Sequence, residues 1–174
     1  SMGLVGSEIA ELLRSIGMQV DYYDKYKVGG SSLERVLKES DVIVLASPLT
    51  EETKGLIGKK EFSMMKEGVI LINVGRGELI DLEAALEALE SGKLGGLGLD
   101  VFPREPPFGD AIFERLLGFN NVVLTPHLGG TSLESERRVI DEVTRIFSKW
   151  LGARPLINKD SYRASVSTSW RKPS

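Results

Sequence analysis

Two apolar runs of strand length, Val42–Ala46 and Val69–Asn73, flank a stretch of helical spacing at Lys59–Met65. Runs this short, rich in β-branched residues and without polar alternation, predict strands buried on both faces, as in a parallel sheet. That alternation governs what the rest of the chain can become, because parallel neighbours need a crossover between them.

The remainder keeps the rhythm. Residues 6–16 place Ile9, Leu12, Leu13 and Ile16 at helical intervals, stop at Gly17, and lead into a predicted strand at Gln19–Tyr23. Ser31 and Glu34 predict a capping box for a helix through Lys38. Asp81 predicts the cap of a helix to about Glu90, closed by Ser91-Gly92. Leu97–Val101 reads as a strand in which Gly98 marks a close backbone approach. A loop follows at 103–109, one or two helical turns at 111–117, and a short strand at Val122–Leu124. Thr131 and Glu134 predict a second capping box before the longest helix, which ends near Leu151-Gly152. Its Leu133, Ile140, Val143, Phe147 and Trp150 predict ordinary core packing. The fold class expected is α/β, a doubly wound parallel sheet of the Rossmann-like, dinucleotide-binding kind. Residues 1–152 are expected to form that domain, with 153–174 a serine-rich terminal segment.

Composition narrows the chemistry. The chain has 174 residues, 41% hydrophobic and 27% charged, which suits one domain with its own core. A net charge of −3 offers no field for nucleic acid, and no apolar run approaches the ~20 residues of a membrane helix. Without cysteine there is no disulfide, thiolate zinc site or cysteine nucleophile, and one histidine leaves only oxygen-rich metal sites, so no metal is expected. A cytoplasmic location is compatible with that cysteine-free composition.

Three punctuated segments close predicted strands and each delivers one polar group. Asn73-Val74-Gly75-Arg76-Gly77-Glu78 carries a guanidinium, Gly98 to Pro106 carries the carboxylate of Glu105, and Thr125-Pro126-His127-Leu128-Gly129-Gly130 carries the only imidazole. In parallel sheets ligands bind beyond the carboxyl ends of strands. Such a set can hold a carboxylate substrate and move a proton. Taken singly, Arg76 reads equally well as a solvated turn residue, Glu105 as a surface charge, and His127 as a structural hydrogen-bonder. At the other end, Gly3-Leu4-Val5-Gly6 matches the last two glycines of Gly-x-Gly-x-x-Gly, with Ser1 at the place of the first. Asp24, eighteen residues past Gly6, can accept from both hydroxyls of an adenosine ribose and would repel a 2′-phosphate. NAD is therefore expected, with NADP less favoured although Lys25 adjoins the site.

These residues give the chain a resemblance to the nucleotide-binding domain of the D-isomer-specific 2-hydroxyacid dehydrogenases, a family that includes phosphoglycerate dehydrogenases and glyoxylate and hydroxypyruvate reductases. The likeness runs from about Gly3 to Asn158 and rests on Ser47-Pro48-Leu49-Thr50, Lys66-Glu67-Gly68, Asn73–Asp81, Gly98–Pro106 and Thr125–Gly130. It implies an NAD-dependent oxidoreductase acting on a 2-hydroxy or 2-oxo acid, with Arg76, Glu105 and His127 as the catalytic set. It also implies Gly3, Leu4, Val5 and Gly6 at the pyrophosphate, Asp24 at the ribose, and Ser47 with Pro48 at the adenosine end. Val74, Gly75, Asp100, Gly129 and Gly130, beside Arg76 and His127, would surround the nicotinamide. A homodimer is a further implication.

Two departures accompany the resemblance. The strand that normally feeds the glycine turn and the family's substrate domain are both expected to be missing from residues 1–174. The expectation is a cofactor-domain piece lacking its first strand and inactive alone. The competing readings are a non-catalytic NAD(H)-binding or corepressor-like module, and a fragment that serves dimerisation.

Overall fold

A computed structural model describes residues 1–151. These fall into two compact units, divided between Thr125 and Pro126, and the serine-rich segment expected at 153–174 lies outside the described residues.

The first unit is a four-stranded, all-parallel sheet in the order β1-β2-β3-β4, with β1 at Val42–Leu45, β2 at Val69–Asn73, β3 at Leu94–Leu99 and β4 at Val122–Leu124. Helices fill the crossovers: α3 (Lys59–Met64) joins β1 to β2, α4 (Leu82–Glu90) joins β2 to β3, and α5 (Ala111–Leu116) joins β3 to β4. With α1 (Leu4–Ser15) and α2 (Leu33–Glu39) ahead of β1, this is the expected α/β, Rossmann-like arrangement. Helices α2, α3, α4 and α5 each pack on the next, and α4 lies against β3.

Register decides which side chains share a face. Ile43, Leu71 and Leu97 align, as do Leu45, Asn73 and Leu99, and all six are buried. The other face aligns Val42 with Ile70 and Val44 with Ile72, where Ile70 is 42% exposed, and it ends at Val123, 65% exposed. In β1 and β2 this second face is only partly buried, with Val42, Val44 and Ile72 half-buried, where the apolar runs predict burial on both faces. Apolar continuity in a strand reports what its faces can bury, not what covers them.

Gln19–Tyr23, predicted as a strand, belongs to no ladder. The Tyr22 carbonyl accepts instead from Ser31 N at 2.8 Å, and the Tyr22 hydroxyl donates to the Val28 carbonyl at 2.9 Å, folding residues 22–31 into a loop. A cleft of about 610 Å³ separates this segment and α1 from β1, whose outer edge carries no strand among the described residues. A strand needs a hydrogen-bonded neighbour within ~5 Å, which the cleft denies it.

Local signals are mostly obeyed. Gly17 ends α1 at φ 88°, and Asp81 accepts from Ala84 N at 3.1 Å as the cap of α4. Two caps fall one residue later than predicted. Ser32, not Ser31, accepts from Arg35 N, and Ser132, not Thr131, accepts from Ser135 N. The one or two helical turns expected at 111–117 form α5, with Asp110 as its cap. Close backbone approach occurs at Gly95, whose added Cβ would lie 2.4 Å from the Gly68 carbonyl oxygen, and not at Gly98, which faces only the Ile72 side chain at 3.5 Å.

The second unit contains the His127–Gly130 turn and α6 (Leu133–Leu151). Its apolar stripe is not core. No residue of α6 is buried, and Val143, Phe147 and Trp150 are exposed, Trp150 by 79%. Gly95→Ala is expected to lower stability by ~1–3 kcal/mol through overpacking, while Gly98→Ala leaves it nearly unchanged. Urea midpoints of the two variants check this, and equal midpoints contradict it.

Candidate active site

The carboxyl ends of the strands lie along one edge of the sheet and are stitched together there. Val74 N donates to the Leu45 carbonyl at 3.1 Å, Asp100 N to that of Asn73 at 3.0 Å, and Thr125 N to that of Leu99 at 2.9 Å. Parallel pairing therefore brings residues 46–47, 73–77, 100–105 and 125 to one rim.

On that rim the glycine turn meets its acidic partner. Met2 N donates to Asp24 Oδ2 at 2.8 Å, and Tyr26 N donates to Oδ1 at 2.9 Å. These two backbone donors hold the Asp24 carboxyl below the usual aspartate range. The Ser1 hydroxyl donates to the Ala46 carbonyl at 2.9 Å, and the Ser1 nitrogen lies 3.4 Å from Ser47 Oγ. Gly6 is buried where a Cβ would strike the Ser1 carbonyl oxygen at 2.0 Å, so only glycine lets the turn close. Gly3 caps α1 without a side-chain bond, and the first turn, including exposed Leu4 and Val5, has no acidic residue. Free N–H groups at the positive end of a twelve-residue helix, beside a carboxylate, fit a pyrophosphate and its ribose.

Further along the rim, Gly75 packs on Ser47, where a Cβ would come 2.7 Å from the Ser47 carbonyl oxygen. Pro48 follows on the same loop and accepts from Thr53 Oγ1 at 2.8 Å through its carbonyl. Val74 is half-buried. Arg76 is exposed, its guanidinium donating to the Gly75 carbonyl at 2.7 Å. Asp100 accepts from Thr125 Oγ1 at 2.5 Å, and Glu105 accepts from Phe102 N at 3.0 Å. The structure thus collects Ser47, Pro48, Val74, Gly75, Arg76, Asp100 and Glu105 on the edge that also carries Gly3–Gly6 and Asp24.

His127, Gly129 and Gly130 belong to the second unit. His127 is the only described non-glycine residue at positive φ, 54°. An imidazole side chain in the left-handed region costs on the order of 1–3 kcal/mol, and such strain clusters at functional sites. The Thr131 hydroxyl and amide both donate to the Leu128 carbonyl, at 3.1 Å, and fix the turn.

Two residues of the Asn73–Glu78 segment matter here to which the sequence alone assigns no role of their own. Asn73 is fully buried, accepts from Gly75 N at 3.0 Å and donates to the Arg76 carbonyl at 2.8 Å. Gly77 tolerates no side chain, since its Cβ would sit 2.0 Å from the Phe102 carbonyl carbon. An asparagine closing an otherwise apolar strand was the available signal for the first. For the second, no local signal existed.

Asn73→Ala is expected to cost about 1–3 kcal/mol, because it strands the buried Gly75 N–H. Chemical denaturation measures this, and an unchanged midpoint contradicts it.

Comparison with known proteins gives this rim its family. Residues 1–129 match the model of the D-isomer specific 2-hydroxyacid dehydrogenase, NAD binding domain. The chain is 43% identical over 154 residues to a hydroxypyruvate reductase of Thermotoga maritima, covering 84% of this chain and 50% of that protein. It is 40% identical over 180 residues to a D-3-phosphoglycerate dehydrogenase of Bacillus subtilis, covering 98% of this chain and 34% of that one. The chain therefore spans half the length of the first and a third of the second. Among solved structures it is similar to the NAD-complexed D-isomer specific 2-hydroxyacid dehydrogenase of Lactobacillus delbrueckii ssp. bulgaricus, with TM-score 0.82, 31% identity, and coverage of 90% of this chain and 53% of that one. It is also similar to a D-lactate dehydrogenase of Aquifex aeolicus complexed with NAD and lactic acid, with TM-score 0.79, 34% identity, and coverage of 87% and 52%. The chain belongs to the D-isomer-specific 2-hydroxyacid dehydrogenase family and covers its NAD-binding domain.

Proposed function

We propose that this chain is the cofactor-binding part of an NAD-dependent oxidoreductase that interconverts a 2-hydroxy acid and a 2-oxo acid. One observation carries the reading: the glycine turn and the Asp24 carboxylate meet, Met2 N to Oδ2 at 2.8 Å, beside a helix start that no side chain caps. A dinucleotide needs both halves of that arrangement, donors for its pyrophosphate and an acceptor for its ribose. In this reading Leu4 and Val5 face the pyrophosphate, Asp24 the ribose, and Ser47 and Pro48 the adenosine end. Val74, Gly75, Asp100, Gly129 and Gly130 are assigned to the nicotinamide.

When bound, NAD would supply the acceptor for the hydride that leaves the substrate carbon. The chain's own residues handle charge and protons. Arg76 offers paired N–H donors to the substrate carboxylate, a planar fork that lysine lacks. His127, whose side chain can both accept and donate a proton, takes the hydroxyl proton during oxidation and returns it during reduction. Glu105 is assigned as the acidic member of the set. The same resemblance supports a homodimer. A net charge of −3 supports the absence of a nucleic-acid partner, and the cysteine-free composition a cytoplasmic location. No helix of the described residues is long and apolar enough to cross a membrane.

NADH fluorescence titration of the chain is expected to show binding. Grafted in place of the matching segment of the Thermotoga maritima hydroxypyruvate reductase, the chain is expected to support NADH oxidation by hydroxypyruvate. His127→Ala in that graft should lower the rate by about 10²–10⁴-fold. Full activity after loss of the imidazole contradicts the assigned role, and absence of NADH binding contradicts the cofactor reading.

A further inference from the structure

Beside Asp24 the rim carries a charge arrangement that the dinucleotide motif does not require. Lys25, the next residue, places its Nζ 2.7 and 2.8 Å from the two carboxylate oxygens of Glu52, and 5.8 Å from the centre of the Tyr26 ring. The Tyr26 hydroxyl lies 3.5 Å from Glu52 Oε2. Glu52 comes from the turn that leaves β1, and that turn is rigidly knotted. Thr50 N donates to Thr53 Oγ1 at 2.8 Å, Thr53 N donates back to Thr50 Oγ1 at 3.2 Å, and Thr53 Oγ1 donates to the Pro48 carbonyl at 2.8 Å. The turn fixes the backbone from which the exposed Glu52 side chain reaches Lys25. The Lys25 hydrogen bond holds the Glu52 carboxyl below its usual range, and Glu52 holds the lysine above its own, so both stay charged at neutral pH.

We propose that Glu52 is a specificity-determining residue of the cofactor site, excluding a 2′-phosphorylated dinucleotide by keeping Lys25 in an ion pair. The proposal rests on the reading of Asp24 as the ribose-binding carboxylate. A lysine directly after that aspartate would otherwise be the natural partner of a 2′-phosphate, and would undo the discrimination that Asp24 provides. With both Glu52 oxygens occupying the ammonium, an incoming phosphate meets two carboxylates and must break the pair to find a cation. A ribose with free hydroxyls meets no such opposition. The selectivity therefore comes from an unfavourable arrangement built against the wrong ligand, as well as from contacts to the right one.

The test compares NADH and NADPH affinity by fluorescence titration of the full chain and three variants, Glu52→Gln, Lys25→Met and the pair together. Glu52 and Lys25 are both exposed, so the variants leave the core untouched. Freeing the lysine in Glu52→Gln is expected to raise NADPH affinity about fivefold, the scale of one exposed ion pair, with NADH affinity changed less than about twofold. The double variant should lose that gain, and added salt should shrink it. NADH binding with no NADPH gain in Glu52→Gln, or an equal gain for both nucleotides, overturns the proposal alone. Absence of NADH binding by the unaltered chain overturns the cofactor reading and this proposal with it.

Discussion

The side chain of Asn73 is fully buried at the end of β2, and both of its polar ends are spent on the next three residues of its own chain. A buried amide is tolerated only when its hydrogen bonds are made, so the turn it holds has little freedom to be anything else. From that turn follow the packing of Gly75 on Ser47, the fit of Gly77 against Phe102–Pro103, and the outward aim of Arg76. The parallel ladders on either side then fix where the neighbouring loops emerge. One polar residue at the end of an apolar strand thus turns a sheet edge into a place where ligand-binding groups accumulate.

The dinucleotide end follows a different logic. There the helix α1 contributes donors through its geometry, with no capping side chain and no acidic residue in its first turn to compete with an incoming anion. Asp24 supplies the opposite sign a few ångströms away, and its two backbone bonds keep it ionised. In the proposed reading, a positive helix end placed beside an ionised carboxylate discriminates within one ligand between its phosphates and its hydroxyls. The Lys25–Glu52 pair extends the same electrostatic pattern outward along the rim.

How much of this the sequence carried depended on the range of the forces involved. Strands β1, β2 and β4 and helix α4 were legible because their signals are local: apolar runs, a capping aspartate, a terminating Ser-Gly. The motifs of the rim were legible for the same reason, each being short and contiguous. Gln19–Tyr23 was misread because a strand is a relation between two segments, and this one faces a cleft instead of a neighbour. Two-sided burial of β1 and β2 and core packing of α6 were overestimated on similar grounds, since apolar spacing says nothing about what covers a face. The single-residue slips at Ser32 and Ser132 came from adjacent hydroxyl residues, either of which can cap. Gly77 and the Glu52–Lys25 contact lay beyond sequence reading altogether, because both depend on residues brought from about 25 positions away.

The central claim is that one edge of the parallel sheet, from the start of α1 to the end of β3, is a single dinucleotide surface. Amide chemical shifts recorded during NADH titration test it most directly. The account predicts perturbations concentrated at residues 3–6, 24, 47, 74–76 and 100, with the opposite ends of the strands, around Gly68 and Lys93, unaffected. Shifts confined to the Gly68 and Lys93 end, with the glycine turn and Asp24 silent, would contradict it.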